Sequence, residues 1–262
     1  MTGERRLFDG ARLRASLFAD GGERGLFVTF RHRVKVDGAL EPARPLARAR
    51  AAGMAHLHIQ TRLNDWYVNP ETKALAAVLA PLARGFTRRQ AMGFSMGGYG
   101  ALRLAGALRL DEVVLVSPQV SIDPAIVPFD PRYRDSAAGF DPVDGDLRRH
   151  PAPGLRGLVL FDPVRALDRR NAEMIVALHP GLDPCRLGFG GHPATRVLGE
   201  GLGIGALQAR LIAGGLSRAE VVGLHRRARG TSGFYRRKLD AALRLRYEKR
   251  RGESLDATPK CP

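Results

Sequence analysis

The segment from Gly93 to Gly100, which reads GFSMGGYG, constrains the fold of this 262-residue chain more than any other feature. It lies where a short apolar run should pass from a β-strand into a helix. A serine at the tip of such a turn has a cramped backbone, so the residues two before and two after it must be small. Gly93 and Gly97 meet that requirement, and Gly98 lets the helix lie close to the sheet. The segment therefore predicts a strand–turn–helix unit with Ser95 at its tip.

Strand and helix patterns alternate along most of the chain. Apolar runs rich in β-branched or aromatic residues predict seven strands: Arg12 to Phe18, Gly25 to Phe30, Ala55 to Gln60, Arg89 to Phe94, Glu112 to Ser117, Gly157 to Asp162 and Cys185 to Phe189. Helical patterns cover Glu71 to Arg84, Met96 to Leu110 and Asp168 to Leu178. This alternation predicts an α/β fold with a mostly parallel central sheet and helices on both faces.

The run GFSMGGYGAL resembles the nucleophile elbow of serine esterases and acyl hydrolases in the α/β-hydrolase superfamily. The likeness extends from about the first strand to His192. It implies the chain order Ser, Asp, His, with the acid after a late strand and the histidine after the last one. It also implies chemistry that needs no cofactor.

That chemistry requires a neutral histidine beside the serine and an acid that orients the histidine. Ser95 is the candidate nucleophile. His192 is the candidate base, because Gly190-Gly191-His192-Pro193 follows the last predicted strand. Asp162 comes directly after the strand Leu158 to Phe161, and Asp168 stands six residues further on. A tight turn favours Asp162 as the acid and a longer loop favours Asp168, so we prefer Asp162 and keep Asp168 as the alternative.

The resemblance implies an oxyanion hole made of two backbone N–H groups. Met96, directly after the serine, would supply the first. The second would come from Arg31 or His32, which follow the strand that ends at Phe30. The chain lacks the His-Gly-Gly-Gly form of this loop that some lipases and esterases have.

Two further groups of residues come from the strand Ala55 to Gln60 or follow it. Trp66 and Tyr67 should emerge at the catalytic edge of the sheet and are the candidates to line the substrate pocket, although a single tryptophan in a loop more often packs against the core. His56 and His58 alternate along the strand and so face one side, which would allow two metal ligands. No third ligand follows at a matching spacing, so we predict no metal site.

Two regions interrupt the alternation of strands and helices. One lies within the predicted core and the other follows it. Residues 121–155 contain six prolines, and we predict a lid-like excursion there within an α/β-hydrolase core of residues 1–200. Residues 201–262 predict a basic helical extension, packed on the core or trailing from it, with helices at Ile204 to Ala213, Arg218 to Arg229 and Gly233 to Arg250.

The formal charge of +16 is concentrated near the end of the chain. Residues 216–252 hold twelve Arg or Lys against three acidic residues. Such a segment could contact an anionic polymer or a membrane surface, although a solvated helical face explains the same composition. Charge alone specifies no partner, and we do not expect nucleic acid. The expected partner of the core is a small-molecule or acylated substrate.

The cysteine content and the N-terminal sequence favour the cytoplasm. Cys185 and Cys261 imply no disulfide framework, and residues 1–9 lack the apolar stretch of a secretory signal. The leading hypothesis is a serine hydrolase, most simply a carboxylic ester hydrolase, that cleaves an ester, thioester or related acyl bond through an acyl-enzyme. The alternatives are a non-catalytic protein of this fold that assists in handling an anionic polysaccharide or polymer, and an enzyme that transfers the acyl group to an alcohol.

Overall fold

The computed structural model describes residues 3–256, with side chains described to residue 248. Eight strands form one sheet in the order β1-β2-β4-β3-β5-β6-β7-β8. Their bounds are β1 Arg5–Asp9, β2 Leu13–Phe18, β3 Gly25–Phe30, β4 Met54–Thr61, β5 Arg88–Phe94, β6 Glu112–Val116, β7 Arg156–Phe161 and β8 Leu182–Arg186. The six strands from β3 to β8 run parallel to one another, whereas β2 runs antiparallel to both β1 and β4. The predicted mostly parallel sheet is confirmed.

Helices cover both faces of this sheet. Their bounds are α1 Ala47–Ala51, α2 Thr72–Arg84, α3 Met96–Arg103, α4 Ala105–Leu108, α5 Arg134–Ala137, α6 Ala166–Leu178, α7 Arg196–Gly201, α8 Ile204–Ala213, α9 Arg218–Arg229 and α10 Gly233–Asp256. On one face, α2, α3, α4 and α6 bury a core that includes Leu75, Leu102 and Ile175. On the other face, α1, α7, α8 and α9 bury a second core that includes Ala49, Leu211 and Val221. The first two helices of the predicted C-terminal extension therefore complete one layer of the fold.

The excursion at 121–155 is tied to the core although it holds little regular structure. Its helical segments are α5 and a single 3₁₀ turn at Leu147–Arg149. Arg103 of α3 forms an ion pair with Asp144 at 2.7 Å, and the Tyr99 hydroxyl donates to the carbonyl of Gly145 at 2.6 Å. These contacts hold the excursion over α3. Its role as a lid stays a prediction.

Some elements differ from the sequence-based expectation. The strand β1 was not predicted, and the helix expected at 96–110 divides at Leu104. The last strand begins at Leu182 instead of Cys185, and it includes Pro184. A proline is tolerated there because β8 is an edge strand, where one missing N–H breaks no ladder bond on the open side. The residues from Leu187 to His192 therefore form a loop at the carboxyl end of the sheet.

Candidate active site

Ser95 occupies the tight turn between β5 and α3. Its backbone has φ 48° and ψ −119°, a strained conformation of the kind that recurs at active sites. A Cβ on Gly93 would lie 2.7 Å from the Cα of Gly98, and one on Gly97 would lie 3.0 Å from the carbonyl oxygen of Phe30. Larger residues at these two positions would push strands and helix apart, so the glycines fix the serine at the rim of the sheet.

His192 reaches the same rim from the loop after β8. Its Nδ1 lies 3.0 Å from Oδ2 of Asp168, a carboxylate that is only 1% exposed. Because an ionised carboxylate can only accept, Nδ1 carries a hydrogen, and in the neutral form of the imidazole Nε2 is the acceptor. The preference for Asp162 is corrected by this contact, since the acid beside the histidine is the alternative, Asp168.

Asp162 is also buried, but backbone amides occupy its oxygens. It accepts hydrogen bonds from the N–H groups of Val164 at 3.1 Å, Phe189 at 3.1 Å and Gly191 at 2.9 Å. Two of these donors belong to the loop that carries His192. Asp162 therefore fastens that loop to the end of β7, and the turn to the acid is longer than the one the sequence favoured.

Asp168 is surrounded by cations. Arg132, from the excursion, donates to its Oδ1 at 2.6 Å, and Arg165 donates to its Oδ2 at 3.2 Å. Burial acts to raise the pKa of Asp168, but the hydrogen bonds and charges of His192 and Arg132 outweigh it and hold the pKa below its usual value. The carboxylate is therefore ionised at neutral pH and suited to orient the imidazole.

In this structure the Ser95 hydroxyl is hydrogen-bonded to Gln119 and makes no hydrogen bond to His192. It donates to Oε1 of Gln119 at 3.2 Å, and the Ser95 side chain also interacts with the hydroxyl of Tyr133. A distance of 3.2 Å is long for an O–H···O bond, so the contact is weak. Ser95 and His192 line the same cavity, and the hydroxyl must leave Gln119 to reach Nε2.

The backbone amides expected to form an oxyanion hole are not equivalent. Met96 is the first residue of α3, so its N–H has no partner within the helix. The N–H of Arg31 donates to the carbonyl of Ile59 at 2.9 Å, which removes it from consideration. His32 lines the cavity beside Ser95. Of the two alternatives for the second donor, the geometry therefore favours His32.

Trp66 and Tyr67 do not line the cavity, contrary to expectation. Both side chains are fully buried. The Tyr67 hydroxyl donates to the carbonyl of Arg31 at 2.7 Å, and Nε1 of Trp66 donates to Oε1 of Gln119 at 3.2 Å. The loop after β4 turns inward, because both residues have positive φ and pack beneath the site. In this structure they belong to the hydrophobic core and not to the cavity lining.

The cavity has a volume of about 710 Å³. Apolar surface comes from side chains of the elbow, the histidine loop and α8, and a few polar side chains complete the lining. Its lining residues are His32, Arg33, Phe94, Ser95, Tyr133, His192, Pro193, Thr195, Arg196, Gly199, Glu200 and Ile204. A mostly apolar cavity with a few convergent polar groups is typical of small-molecule sites.

His56 and His58 share a neighbour on the far side of the sheet from the excursion. Oγ1 of Thr29 lies 2.8 Å from Nε2 of His56 and 2.8 Å from Nδ1 of His58, and the N–H of Leu46 donates to Nδ1 of His56 at 3.0 Å. Burial lowers the pKa of His56 to about 3 and that of His58 to about 4. Within residues 3–248, no group of three or more His, Cys, Asp or Glu side chains is arranged to hold a metal ion.

Comparison with solved structures places this geometry in a known fold. The chain superimposes with a TM-score of 0.51 on a mutant of the capsule O-acetyltransferase of Neisseria meningitidis serogroup A in complex with CoA, with 11% identity over 71% of this chain and 87% of that one. A putative carboxylesterase from Lactobacillus plantarum gives 0.50, with 16% identity over 81% of this chain and 98% of that one. Carboxyl esterase 2 from Tuber melanosporum gives 0.50, with 16% identity over 87% and 86%. The chain has the α/β-hydrolase fold.

No family model matches the chain, and no curated protein matches it. In the part of the chain that the structure describes, no helix combines the length and the apolar character needed to cross a bilayer.

Three residues near Ser95 or Asp168 are not among the site residues that the sequence predicts. Gln119, Arg132 and Tyr133 meet the serine or its acid, yet all three lie after β6 in irregular chain. Within an α/β-hydrolase fold, the position of the excursion after β6 was the available signal. For Arg132 and Tyr133 it predicted a lid-like segment without indicating which side chains approach Ser95, whereas Gln119 precedes residues 121–155 and had no such signal.

Proposed function

We propose that this protein is a serine hydrolase that cleaves an ester, thioester or related acyl bond, with Ser95 as nucleophile, His192 as base and Asp168 as the acid that orients the base. The observation that carries the proposal is the 3.0 Å contact between His192 and a buried, ionised Asp168, at a cavity that the strained Ser95 also lines. A structural role alone does not require this combination at the carboxyl end of a parallel sheet.

The first half of the reaction forms an acyl-enzyme. Oγ of Ser95 attacks the carbonyl carbon while Nε2 of His192 takes the hydroxyl proton. Asp168 keeps the proton on Nδ1 and stabilises the imidazolium that forms. The negative oxygen of the tetrahedral intermediate accepts hydrogen bonds from the N–H groups of Met96 and His32. The intermediate then expels the leaving oxygen or sulfur, which receives the proton from Nε2.

The second half repeats these roles with water. His192 removes a proton from a water molecule, the resulting hydroxide attacks the acyl carbon, and the Ser95 oxygen leaves with the proton from Nε2. Phe94, Pro193 and Ile204 offer apolar surface for the acyl chain.

A fluorophosphonate probe tests this proposal. It should modify Ser95 and no other residue, and Ser95→Ala should abolish both labelling and turnover of 4-nitrophenyl acetate. Ser136→Ala is a matched control, because Ser136 lies on α5 near the site without lining the cavity. Labelling that persists in Ser95→Ala would overturn the assignment and favour a non-catalytic binding protein.

Acyl transfer is the second candidate. One protein with the same fold is an O-acetyltransferase solved with CoA. Transfer keeps the same acyl-enzyme but replaces water with an alcohol. Product analysis with glycerol as acceptor separates the two, since a hydrolase releases mainly free acid and a transferase mainly glycerol ester.

A further inference from the structure

The lining of the candidate active site carries an excess of positive charge. Arg33 and Arg196 both line the cavity, and Glu200 is the one carboxylate among its lining residues. The histidines His32 and His192 are the other titratable side chains there besides Tyr133. Any compensation of the two arginines within the cavity must therefore come from Glu200.

The carboxylate of Glu200 already has hydrogen-bond and ion-pair partners within the protein. Its Oε2 accepts hydrogen bonds from the Ser232 hydroxyl at 2.9 Å and from the N–H of Phe234 at 3.0 Å, and its Oε1 lies 3.6 Å from Nε of Arg196. These bonds join α7 to the start of α10 and hold the carboxylate against the wall. Arg196 is thus paired and also stacks on the ring of Phe234 at 4.2 Å.

Arg33 has no comparable partner. Among the described residues, its guanidinium forms no hydrogen bond or ion pair. Its Cζ lies 5.9 Å from the centroid of the Tyr133 ring, over the face of that ring. The hydroxyl of that same tyrosine interacts with Ser95. The unpaired cation therefore stands one aromatic ring away from the proposed nucleophile, with its N–H donors available to a ligand.

We propose that the substrate carries an oxyanion group, a carboxylate or a phosphate, which binds Arg33 while the acyl carbon lies at Ser95. This rests on the proposed function and specifies its substrate class. A guanidinium presents a planar fork of donors that matches both anions, and its bonds to them are charge-assisted. Binding the anion there also fixes the distance between the recognised group and the scissile carbonyl.

Matched ester pairs test this proposal. The ratio of kcat/KM for mono-(4-nitrophenyl) glutarate to that for 4-nitrophenyl pentanoate compares an anionic acyl chain with a neutral one. The pair 4-carboxyphenyl butyrate and 4-carbamoylphenyl butyrate does the same for the leaving group. In at least one pair we expect the anionic ester to be favoured, and Arg33→Gln to lower that ratio by about five- to tenfold. We compare ratios because a substitution at Arg33 could shift the neighbouring His32 N–H and so change kcat/KM for both esters of a pair by the same factor.

Arg84→Gln is the matched control, because Arg84 is exposed on α2 and does not line the cavity. It makes the same change in net charge and should leave both ratios as they are. Added salt should reduce the preference of the wild-type protein for the anionic ester, because it screens the charge of Arg33. Equal ratios in the wild-type protein and Arg33→Gln for both pairs would overturn the proposal, while labelling of Ser95 by the fluorophosphonate would still support the proposed function.

Binding of simple anions keeps the test independent of turnover. Calorimetry with phenyl phosphate and with benzoate should give tighter binding to the wild-type protein and to Arg84→Gln than to Arg33→Gln. The tighter of the two anions identifies the group. Equal binding of both anions by all three proteins would overturn the proposal, even if no ester is cleaved.

Discussion

Two aspartates six residues apart have different tasks because of what their oxygens contact. Asp162 accepts three backbone N–H groups and makes no hydrogen bond to the imidazole of His192. Asp168 sits on α6 and contacts the ring of His192 directly. The resemblance implies one acid shortly after a late strand, and both residues lie there. Only the path of the loop after β7 distinguishes them, and that path depends on backbone hydrogen bonds that a sequence does not display.

Substituting each aspartate separates these tasks. Asp168→Asn should lower kcat for 4-nitrophenyl acetate by about 10²- to 10⁴-fold, because an amide in this place favours the wrong tautomer of His192. Asp162→Asn should mainly lower the free energy of unfolding, by about 1–3 kcal/mol, since an amide satisfies fewer of the buried N–H groups. Activity assays and urea denaturation measure the two effects. Loss of turnover in Asp162→Asn with unchanged stability, beside an active Asp168→Asn, would contradict the assignment.

At the scale of elements, the excursion at 121–155 brings two adjacent residues to opposite parts of the site. Arg132 bonds to Asp168, while Tyr133 interacts with Ser95 and packs against Trp66 with ring centroids 4.7 Å apart. Arg132 is itself held by both oxygens of Asp130, at 2.8 and 2.6 Å. The excursion therefore contributes contacts to the candidate site, and we propose that Arg132 is a positioning residue that acts through Asp168.

The pH profile should reveal this role of Arg132. Its guanidinium helps to hold the pKa of Asp168 down, and activity requires the ionised carboxylate. In Arg132→Gln that pKa rises, so activity is lost at a higher pH as the solution is acidified, and kcat falls by about 10- to 100-fold through misplacement of the acid. Arg132→Lys should restore part of the profile, because it keeps the charge.

Arg165→Gln serves as the control for this experiment. Arg165 contacts the same carboxylate, but its side chain is 43% exposed, so solvent screens its charge. The pH at which activity is lost on acidification should therefore shift less in Arg165→Gln than in Arg132→Gln. Superimposable profiles for the wild-type protein and Arg132→Gln would show that the contact with Asp168 is only structural.

The predictability of the elements follows from how local their signals are. The strand Gly25–Phe30 and the helix Arg218–Arg229 have the predicted bounds, because periodicity and end residues lie within each segment. Ser217 and Glu220 form a capping box at the start of that helix. The strand β1 escaped prediction because its exposed and half-buried residues carry no apolar alternation. The orientation of Trp66 was likewise hidden, since it depends on a turn with positive φ.

At the scale of the whole molecule, the C-terminal helices divide into a structural part and an exposed part. Leu207, Val221 and Leu224 pack into the second core with Cys185 and Leu187. By contrast, α10 projects beyond Ala242, with Leu243 at 53% exposed and Leu245 at 67%. Its basic side chains belong to the segment 216–252, of which residues 249–252 have side chains outside the described part; Cys261 also lies outside it. Contact of this segment with an anionic polymer or a membrane surface remains a proposal.

Two truncations test this division. Ending the chain after Gly215 removes α9 and exposes the apolar surface of β8 and α7, so the melting temperature should fall by about 10 °C or more, or the cooperative transition should disappear. Ending it after Ala242 removes chain of which the described side chains, those of residues 243–248, are exposed, so the melting temperature should stay nearly unchanged. The second variant should also elute from immobilised heparin at lower salt than the full chain, because it lacks six basic and three acidic residues. A large loss of stability in the second variant would show that the end of α10 belongs to the core, and unchanged elution would place any anion-binding surface elsewhere.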